Sequence, residues 1–495
     1  MTEVRSQKSE DRSRKAEVGR DSQNSRSWLL KRGGGRANFL LSSVFCLLTS
    51  LPSSADAEQA RSADAFVDSI GVCSHWSYGD TPYGFAYEKV KQKLAESGIR
   101  HIRDGFSARI PELAKLGVLT TVALDPEMTP EQIRDKVKAI NAGGFAIDAV
   151  EGPNEPDFFW DNGKHTYKGM GSAQGGQAGI MKGVIAFQRD LYAAMKADPA
   201  TKNITVIGPS LGKTYGYDVK SPLGNNGELA NAVDWGNFHP YPGGNPFSNP
   251  VPYGGLAKYT WQGNHPSNNI DENPFAFDIY AGAFKPKPMC ATETGYSTDV
   301  NGSGVTEAVH AKYMPRLFCE YFRKGIRRAY SYEFADEFED KDKTNREANF
   351  GLIRRDTTPK PAYAAIKNLI AILGEKGVIP AFKPGNFDFK LEVTPAGGYD
   401  RTQYVHHLLL QKSTGDYYLV LWHEVSAEDT SAKPHKQIAV PELPATLTFN
   451  APVRRIVYYV PNESDKPLTT LKNLPAMTLK IPDRVVILQI TPAAR

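Results

Sequence analysis

Cysteine is scarce in this chain, with four among 495 residues. Cys46 lies in a segment that we expect to be removed, and the remaining Cys73, Cys290 and Cys319 are an odd number, which argues against a disulfide framework. One bridge between Cys290 and Cys319 and buried free thiols are both open at this stage. The spacings Cys-x-x-Cys, His-x-His and His-Glu-x-x-His are absent as well. The sequence thus gives little support for a zinc enzyme, and we expect no metal and no cofactor.

The body of the chain also lacks an excess of charge of either sign. The formal net charge is +4, but residues 1–57 carry 10 Lys and Arg against 6 Asp and Glu. Of the 59 basic and 55 acidic residues, 49 of each kind therefore lie beyond residue 57. Nucleic acids and anionic membranes bind basic surfaces, so we expect neither as a partner. The composition is that of globular proteins, and the length predicts two domains.

Long apolar runs are missing, with one exception near the N-terminus. Basic residues at 31–36 precede the apolar run 39–51, and small residues follow up to Ala57. This order is typical of a secretory signal peptide. We predict a leader over residues 1–57, export to the periplasm or the extracellular space, and no stable membrane insertion after cleavage, whereas an uncut leader would act as a membrane anchor. Residues from 53 to about 64 are predicted to be disordered.

Between residues 66 and 374, short apolar runs alternate with amphipathic stretches such as Tyr87–Ser97 and Thr129–Asn141. The second stretch opens with Thr-Pro-Glu-Gln, a capping box with proline at the first helical position. Eight such alternations predict a (β/α)8 TIM barrel over residues 66–374. A doubly wound open sheet is the alternative, but no Gly-x-Gly-x-x-Gly follows the first strand. The strand candidates are Ser69–Ser74, Arg100–Asp104, Val118–Leu124, Ala146–Gly152, Ile204–Gly208, Trp235–His239, Met289–Glu293 and Arg328–Phe334.

After residue 377 the helical periodicity disappears and strand-like runs dominate. Ser-Thr-Gly at residues 413–415 predicts a hairpin loop between the first two of these runs. We therefore predict a small antiparallel β-sandwich over residues 378–495. Its strand candidates are Tyr404–Lys412, Asp416–Trp422, Gln437–Val440, Thr446–Phe449, Val453–Val460, Met477–Ile481 and Val485–Ile490.

Polar side chains follow several predicted barrel strands, at the end where the reactive residues of such barrels cluster. Glu155 follows the fourth strand and Glu293 ends the seventh, so we expect the two carboxylates at one barrel mouth. Retaining glycoside cleavage needs such a pair: one carboxylic acid protonates the leaving oxygen and one carboxylate attacks the anomeric carbon. Each glutamate alone is a weak signal, because strand-end glutamates also form salt bridges.

The residues around both glutamates resemble those of clan A retaining glycoside hydrolases. Asn-Glu-Pro at 154–156 is similar to that clan's acid/base motif on strand four, and Thr-Glu-Thr-Gly at 292–295 to its nucleophile motif on strand seven. With the trailing sandwich, family 39 is the most similar and family 5 the next. The resemblance implies that Glu155 is the acid/base, that Glu293 is the nucleophile, and that the substrate is a β-linked polysaccharide or oligosaccharide.

The same resemblance implies roles for four neighbours. Asn154 would hydrogen-bond the sugar 2-hydroxyl, and His239 would line the site. Arg103 and Tyr241 would contact Glu293 and keep it ionised, since a nearby arginine favours the charged form of a carboxylic acid. The alternatives are a structural ion pair for Arg103 and support of loop backbone for His239.

Two further positions are substrate-binding candidates. Trp76 follows the first strand and is either a stacking platform for a pyranose ring or a packing residue. Glu333 departs from the tryptophan that many clan members carry on strand eight. It either binds sugar hydroxyls or joins an ionic cluster with Arg327 or Arg328.

Two loops, residues 157–175 and 243–276, are rich in aromatic residues and are predicted to wall the cleft. Three alternatives to a hydrolase follow from the sequence. A transglycosylase would use the same residues, a catalytically silent barrel would only bind carbohydrate, and binding could rest in the sandwich domain alone. The presence of both carboxylates argues against the silent barrel, and the absence of an aromatic stripe argues against the last.

Overall fold

The computed structural model describes residues 57–124, 127–161, 163, 165–212, 222–224, 226–242, 281–377, 381–429 and 432–493. These residues belong to one compact unit. The predicted leader up to residue 56 and the predicted cleft loop at 243–276 lie outside them. No helix in the described ranges has the length and apolar character needed to cross a membrane.

The first part of the chain contains an eight-stranded parallel barrel. Ring order is β10-β11-β12-β3-β4-β5-β6-β9, and a parallel bridge between Ile207 and Trp235 connects its two ends. The prediction of a TIM barrel is therefore confirmed. The strands up to the end of the barrel are β1 (Glu58–Gln59), β2 (Arg61–Ser62), β3 (Ile70–Cys73), β4 (His101–Asp104), β5 (Leu119–Leu124), β6 (Ile147–Pro153), β7 (Thr166–Tyr167), β8 (Met170–Gly171), β9 (Thr205–Ile207), β10 (Gly236–Phe238), β11 (Met289–Thr294) and β12 (Ala329–Ser331).

Helices connect most of the barrel strands. The predicted capping box opens α5, where Thr129 Oγ1 accepts from the Gln132 amide at 3.3 Å and Gln132 Oε1 accepts from the Thr129 amide at 2.8 Å. The helices are α1 (Ala63–Asp68), α2 (Pro82–Phe85), α3 (Tyr87–Ser97), α4 (Ile110–Ala114), α5 (Pro130–Asn141), α6 (Pro156–Phe159), α7 (Gly176–Ala197), α8 (Glu307–Arg323) and α9 (Pro361–Leu373).

Side chains fill the interior of the barrel. Cys73, Ala149, Ile207, Cys290 and Tyr330 come from five strands and pack in one buried cluster. All three described cysteines, Cys319 included, are buried free thiols, so the open question of a Cys290–Cys319 bridge is answered against it.

The C-terminal strands form an antiparallel region, as predicted. A six-stranded sheet, β2-β15-β16-β23-β20-β21, lies with a three-stranded sheet, β14-β19-β22, and shares one apolar core with it. The strands are β13 (Asn386–Phe387), β14 (Phe389–Val393), β15 (Val405–Gln411), β16 (Tyr417–His423), β17 (Glu428–Asp429), β18 (Lys436–Gln437), β19 (Leu443–Phe449), β20 (Val453–Tyr459), β21 (Thr469–Lys472), β22 (Ala476–Ile481) and β23 (Val486–Pro492).

The expectation of disorder up to residue 64 is wrong for residues 57–64. Strand β1 pairs with β13, and β2 adds a parallel strand to β15 at the edge of the six-stranded sheet. Arg61 also reaches back to the barrel, where its guanidinium lies 3.8 Å from the centre of the Phe322 ring. The segment is polar in sequence, and it is ordered because C-terminal strands supply its backbone partners.

Helix α8 carries a buried polar junction between the barrel and the sandwich. Arg316 is 1% exposed, and its Nε donates to Glu424 at 2.7 Å. Its other guanidinium nitrogens donate to the carbonyls of Val425 and Asp483 at 3.0–3.1 Å. Each of the three guanidinium nitrogens thereby donates to sandwich atoms, which fixes how the two parts meet.

Candidate active site

Four predicted site residues converge at the carboxyl ends of the barrel strands. Arg103 lies on β4, Asn154 follows β6, Tyr241 follows β10, and Glu293 lies on β11. Arg103 connects two of the others, because its Nη1 donates to Glu293 Oε1 at 2.7 Å and its Nη2 donates to Asn154 Oδ1 at 2.8 Å. Burial lowers the pKa of Arg103, but neighbouring carboxylates outweigh it and raise the pKa well above its usual value.

Glu293 is 1% exposed and is held from both sides. Arg103 donates to one carboxylate oxygen, and the Tyr241 hydroxyl donates to the other at 2.7 Å. A guanidinium and a phenol on the two oxygens favour the ionised form of a carboxylic acid. This is the chemical state that a nucleophilic carboxylate needs.

Glu155 lies between β6 and helix α6, directly before the first residue of the helix. Its backbone is left-handed, with φ +41° and ψ +53°, which is uncommon for a residue other than glycine, asparagine or aspartate. The side chain is buried, and Oε1 lies 3.0 Å from His239 Nδ1. A carboxylate oxygen of Glu155 and one of Glu293 lie within 4.8 Å of each other. The two glutamates therefore face one small space.

His239 lies between the two glutamates. Its Nδ1 is 3.0 Å from Glu155 and 3.7 Å from Glu293, and its Nε2 is 2.9 Å from the hydroxyl of Thr292. Burial lowers the pKa of His239, but the charge of Glu293 and hydrogen bonds to Glu151 and Glu155 outweigh it and raise the pKa to about 9. This shift favours the imidazolium form, in which both ring nitrogens are donors.

Glu151, which the site prediction missed, forms the floor of this arrangement. It is fully buried and pairs with Arg103 through two hydrogen bonds, Nε to Oε2 at 2.5 Å and Nη2 to Oε1 at 3.0 Å. Oε1 also accepts from Thr292 at 2.9 Å, Asn237 at 3.1 Å and Ser210 at 3.3 Å. Burial raises the pKa of Glu151, but Arg103 outweighs it, so the pKa falls below its usual value.

Trp76, the candidate stacking platform, packs against other aromatic side chains. It is 4% exposed and packs edge-on against Tyr83 at 5.2 Å and Tyr87 at 5.6 Å between ring centres. Its amide donates to Asp104 at 2.8 Å. Burial raises the pKa of Asp104 to about 6. The charge of His75 and three hydrogen bonds lower the pKa, but they do not outweigh the burial.

Glu333 is fully buried and belongs to a different group of side chains. Its ion-pair partner is His75, whose Nδ1 lies 3.2 Å from Glu333 Oε2. The sequence alternatives were Arg327 and Arg328, but Arg328 pairs instead with Asp148 at 3.0 Å and more loosely with Asp68 at 3.6 Å. Within the described ranges, the ionic cluster predicted for Glu333 therefore contains a histidine in place of an arginine.

The structure describes most of the first predicted cleft loop, residues 157–175, and none of the second, residues 243–276. Residues 157–161, 163 and 165–175 are described, and there Trp160 is 1% exposed and packs in the main core. Strands β7 and β8 form a small hairpin in the same loop. The other loop lies outside the described residues.

Comparison with known proteins finds likeness in fold. No protein-family model matches the chain. No curated protein matches it in sequence. Among solved structures, a family 39 glycoside hydrolase from Bacteroides cellulosilyticus WH2 superposes with a TM-score of 0.52 at 16% identity, over 87% of this chain and 81% of that one.

Two further structures give similar values. A glucosidase from Croceicoccus marinus has a TM-score of 0.51 at 10% identity, over 88% of this chain and 98% of that one. A GH51 arabinofuranosidase from Xanthomonas axonopodis pv. citri has a TM-score of 0.50 at 11% identity, over 88% and 97%. At these identities the likeness is one of fold. The structural neighbours of this chain are glycoside hydrolases, a family 39 enzyme among them, as the resemblance in sequence predicted.

Proposed function

We propose that this protein is a retaining glycoside hydrolase that cleaves a β-linked polysaccharide or oligosaccharide, with Glu155 as acid/base and Glu293 as nucleophile. The observation that carries the proposal is the approach of the two carboxylates to within 4.8 Å at the barrel mouth. Retaining enzymes keep their carboxyl groups about 5–5.5 Å apart, whereas inverting enzymes leave about 6.5–9.5 Å for a water molecule. The fold of the structural neighbours supports the same class of reaction.

The first step forms a glycosyl-enzyme. A carboxylate oxygen of Glu293 attacks the anomeric carbon while the bond to the leaving oxygen breaks, and Glu155 gives its proton to that oxygen. Arg103 and Tyr241 hold Glu293 ionised and aimed. As an imidazolium, His239 donates from Nδ1 to Oε1 of Glu155, which leaves Oε2 to carry the proton that is transferred.

The second step returns the enzyme to its starting state. Glu155, now a carboxylate, takes a proton from water as the water oxygen attacks the anomeric carbon and the bond to Glu293 breaks. Two displacements on one carbon restore its configuration. Asn154 directly precedes Glu155 and accepts from Arg103, which also donates to Glu293, and this suits a contact to the hydroxyl next to the anomeric carbon.

The test is hydrolysis of a panel of polysaccharides and aryl glycosides by residues 58–495. We expect reducing ends from the wild type, at least about 1,000-fold less from Glu293→Gln, because the amide is not a nucleophile, and no change in Glu339→Gln, whose side chain is 70% exposed. Proton NMR of the first-formed product gives its anomeric configuration, which we expect to match that of the substrate. Equal release by wild type and Glu293→Gln, or an inverted product, would contradict the proposal.

We propose in addition that residues 1–57 are a leader cut after Ala57 and that the enzyme is exported. The composition of residues 31–57 supports this proposal. N-terminal sequencing of the mature protein tests it, with Glu58 expected first.

A further inference from the structure

A second group of one histidine and two glutamates lies beside the catalytic residues. His75 follows β3, and Glu333 and Glu337 follow β12. His75 Nδ1 lies 2.7 Å from Glu337 Oε1 and 3.2 Å from Glu333 Oε2, and donor atoms of all three lie within 4.8 Å of one another. The side chain of Glu333 is 0% exposed and that of Glu337 is 4% exposed, whereas that of His75 is 14% exposed and borders solvent.

Among the described residues, the carboxyl groups of this second group have fewer hydrogen-bond donors than Glu293 has at the catalytic site. At the catalytic site, Arg103 and Tyr241 donate to Glu293. In the described part of the chain, neither carboxylate oxygen of Glu333 accepts a hydrogen bond, and His75 is its ion-pair partner. The same Nδ1 atom is also the side-chain partner of Glu337. One imidazole nitrogen thus faces two buried carboxyl groups, an arrangement that costs free energy unless a proton or a further cation neutralises one of them.

We propose that His75, Glu333 and Glu337 bind a divalent transition-metal ion, for which Zn²⁺ has the matching ligand preferences. Imidazole nitrogen and carboxylate oxygen are both zinc ligands, at about 2.0–2.2 Å. Ligands at such distances in a tetrahedron are separated by about 3.3 Å, which falls between the 2.7 Å and 4.8 Å seen here. A neutral imidazole, two carboxylates and a dication sum to zero charge, and because His75 is 14% exposed, solvent can supply a further ligand.

The position of the ion gives it a structural role. Strands β3 and β12 are hydrogen-bonded neighbours in the barrel, and the ligands come from the loops that follow them. His75 also contacts Tyr332, whose ring centre is 5.8 Å away, and Tyr332 contacts Tyr241 at 6.5 Å. An ion here holds together the first and last barrel strands at the catalytic mouth. Because 258 residues separate His75 from Glu333, no motif scan over short spacings finds this set.

The experiment is a calorimetric titration of chelator-treated residues 58–495 with Zn²⁺, followed by Mn²⁺ and, as a control for a cation that prefers an all-oxygen octahedron, Mg²⁺. We expect one Zn²⁺ per chain and a higher unfolding temperature with the ion bound. Glu333→Gln and Glu337→Gln should each weaken Zn²⁺ binding by at least about 100-fold, since an amide replaces a carboxylate ligand. Glu339→Gln, an exposed neighbour, should bind as the wild type does.

A second pair of variants separates this group from the catalytic one. Glu293→Gln should keep Zn²⁺ binding, and His75→Asn should lose it while its circular dichroism spectrum stays that of the wild type. The proposal is overturned if the stripped wild type takes up no Zn²⁺, if Glu333→Gln and His75→Asn bind it as tightly as the wild type, or if Glu293→Gln alone removes the binding. These readouts do not require enzymatic activity, so they are independent of the proposed function.

Discussion

Glu151 determines the positions of several active-site groups without facing the space between the catalytic glutamates. It binds Arg103 through two hydrogen bonds, and Arg103 in turn donates to Glu293 and Asn154. Glu151 also accepts a hydrogen bond from the hydroxyl of Thr292, and the same hydroxyl is hydrogen-bonded to Nε2 of His239. A buried carboxylate with this many donors is stable as an anion, so the whole arrangement depends on its negative charge.

We predict that Glu151→Gln lowers kcat by about 100-fold, because Arg103 and His239 both lose their support and small displacements of aiming groups cost about that much. Unfolding by urea should show a loss of about 3–5 kcal/mol, the usual cost of breaking a buried ion pair. The pH profile of kcat should shift as well, which a purely structural effect would not produce.

The matched control for that variant is Glu320→Gln, another fully buried glutamate, which binds His406 and Arg323 at the junction with the sandwich. It should lose stability but keep kcat at temperatures where it is folded. A wild-type kcat and pH profile in Glu151→Gln would show that Glu151 has no positioning role.

The polar residues at the predicted strand ends included five that were predicted to form the active site, and the structure brings these five together. They are Arg103, His239, Tyr241, Glu155 and Glu293. Glu151 was not predicted, because the resemblance to the clan's Asn-Glu-Pro motif assigns roles to Asn154 and Glu155 and none to the residue three positions before that motif. A signal was present: Ala149 faces the barrel interior, so two residues further along the same strand the side chain faces inward too. A charged side chain inside a barrel is costly unless an opposite charge or hydrogen-bond donors lie beside it, so Glu151 indicates such a buried partner.

Among the elements, the barrel strands were predictable because each is a run of apolar residues with helical patterns on either side. All eight observed strands overlap the predicted runs, with shifts of a few residues at the ends. The short strands β1, β2 and β13 were not predicted, since two residues show no periodicity. These strands form because they pair with segments far along the chain, and a pattern of neighbouring residues does not reveal such pairing.

The N-terminal strands lead to a prediction about stability. A protein that begins at Ala63 lacks β1 and β2, the Glu58–His407 pair at 2.8 Å, the Arg61–Phe322 contact and the Ser62 cap of helix α1. We expect it to be less stable than a protein beginning at Ala57 by about 3 kcal/mol.

Calorimetric unfolding of the two proteins measures this difference, and a third protein beginning at Arg61, which keeps β2 and the contact with Phe322, should fall between them. Equal unfolding temperatures for all three would mean that the N-terminal strands add nothing to stability.

For the whole molecule, the barrel and the sandwich share one hydrophobic core. The buried cluster that includes Leu317 and Phe318 of helix α8 continues through Leu408, Leu410 and Trp422 of the sandwich. The Arg316–Glu424 pair is buried within the same contact. A shared core couples the stability of the two parts.

We predict a single cooperative unfolding transition, with coincident urea curves from tryptophan fluorescence and from circular dichroism. Arg316→Met should lower the free energy of unfolding by about 3–5 kcal/mol, since it leaves Glu424 buried without its guanidinium. The double variant Arg316→Met/Glu424→Leu should recover most of that loss, because neither charge of this pair is then left buried without its partner. Two separate transitions in the wild type would contradict the coupling.

Pairing of the N-terminal strands with β13 and β15 has a consequence for synthesis. Glu58 pairs with Phe387 and Arg61 with Leu410, so each waits for a partner more than 300 residues later in the chain. At 5–20 residues per second, that wait lasts roughly 15 to 70 s. A growing or prematurely terminated polypeptide therefore keeps its first strands exposed to proteases, and only a finished one can protect them.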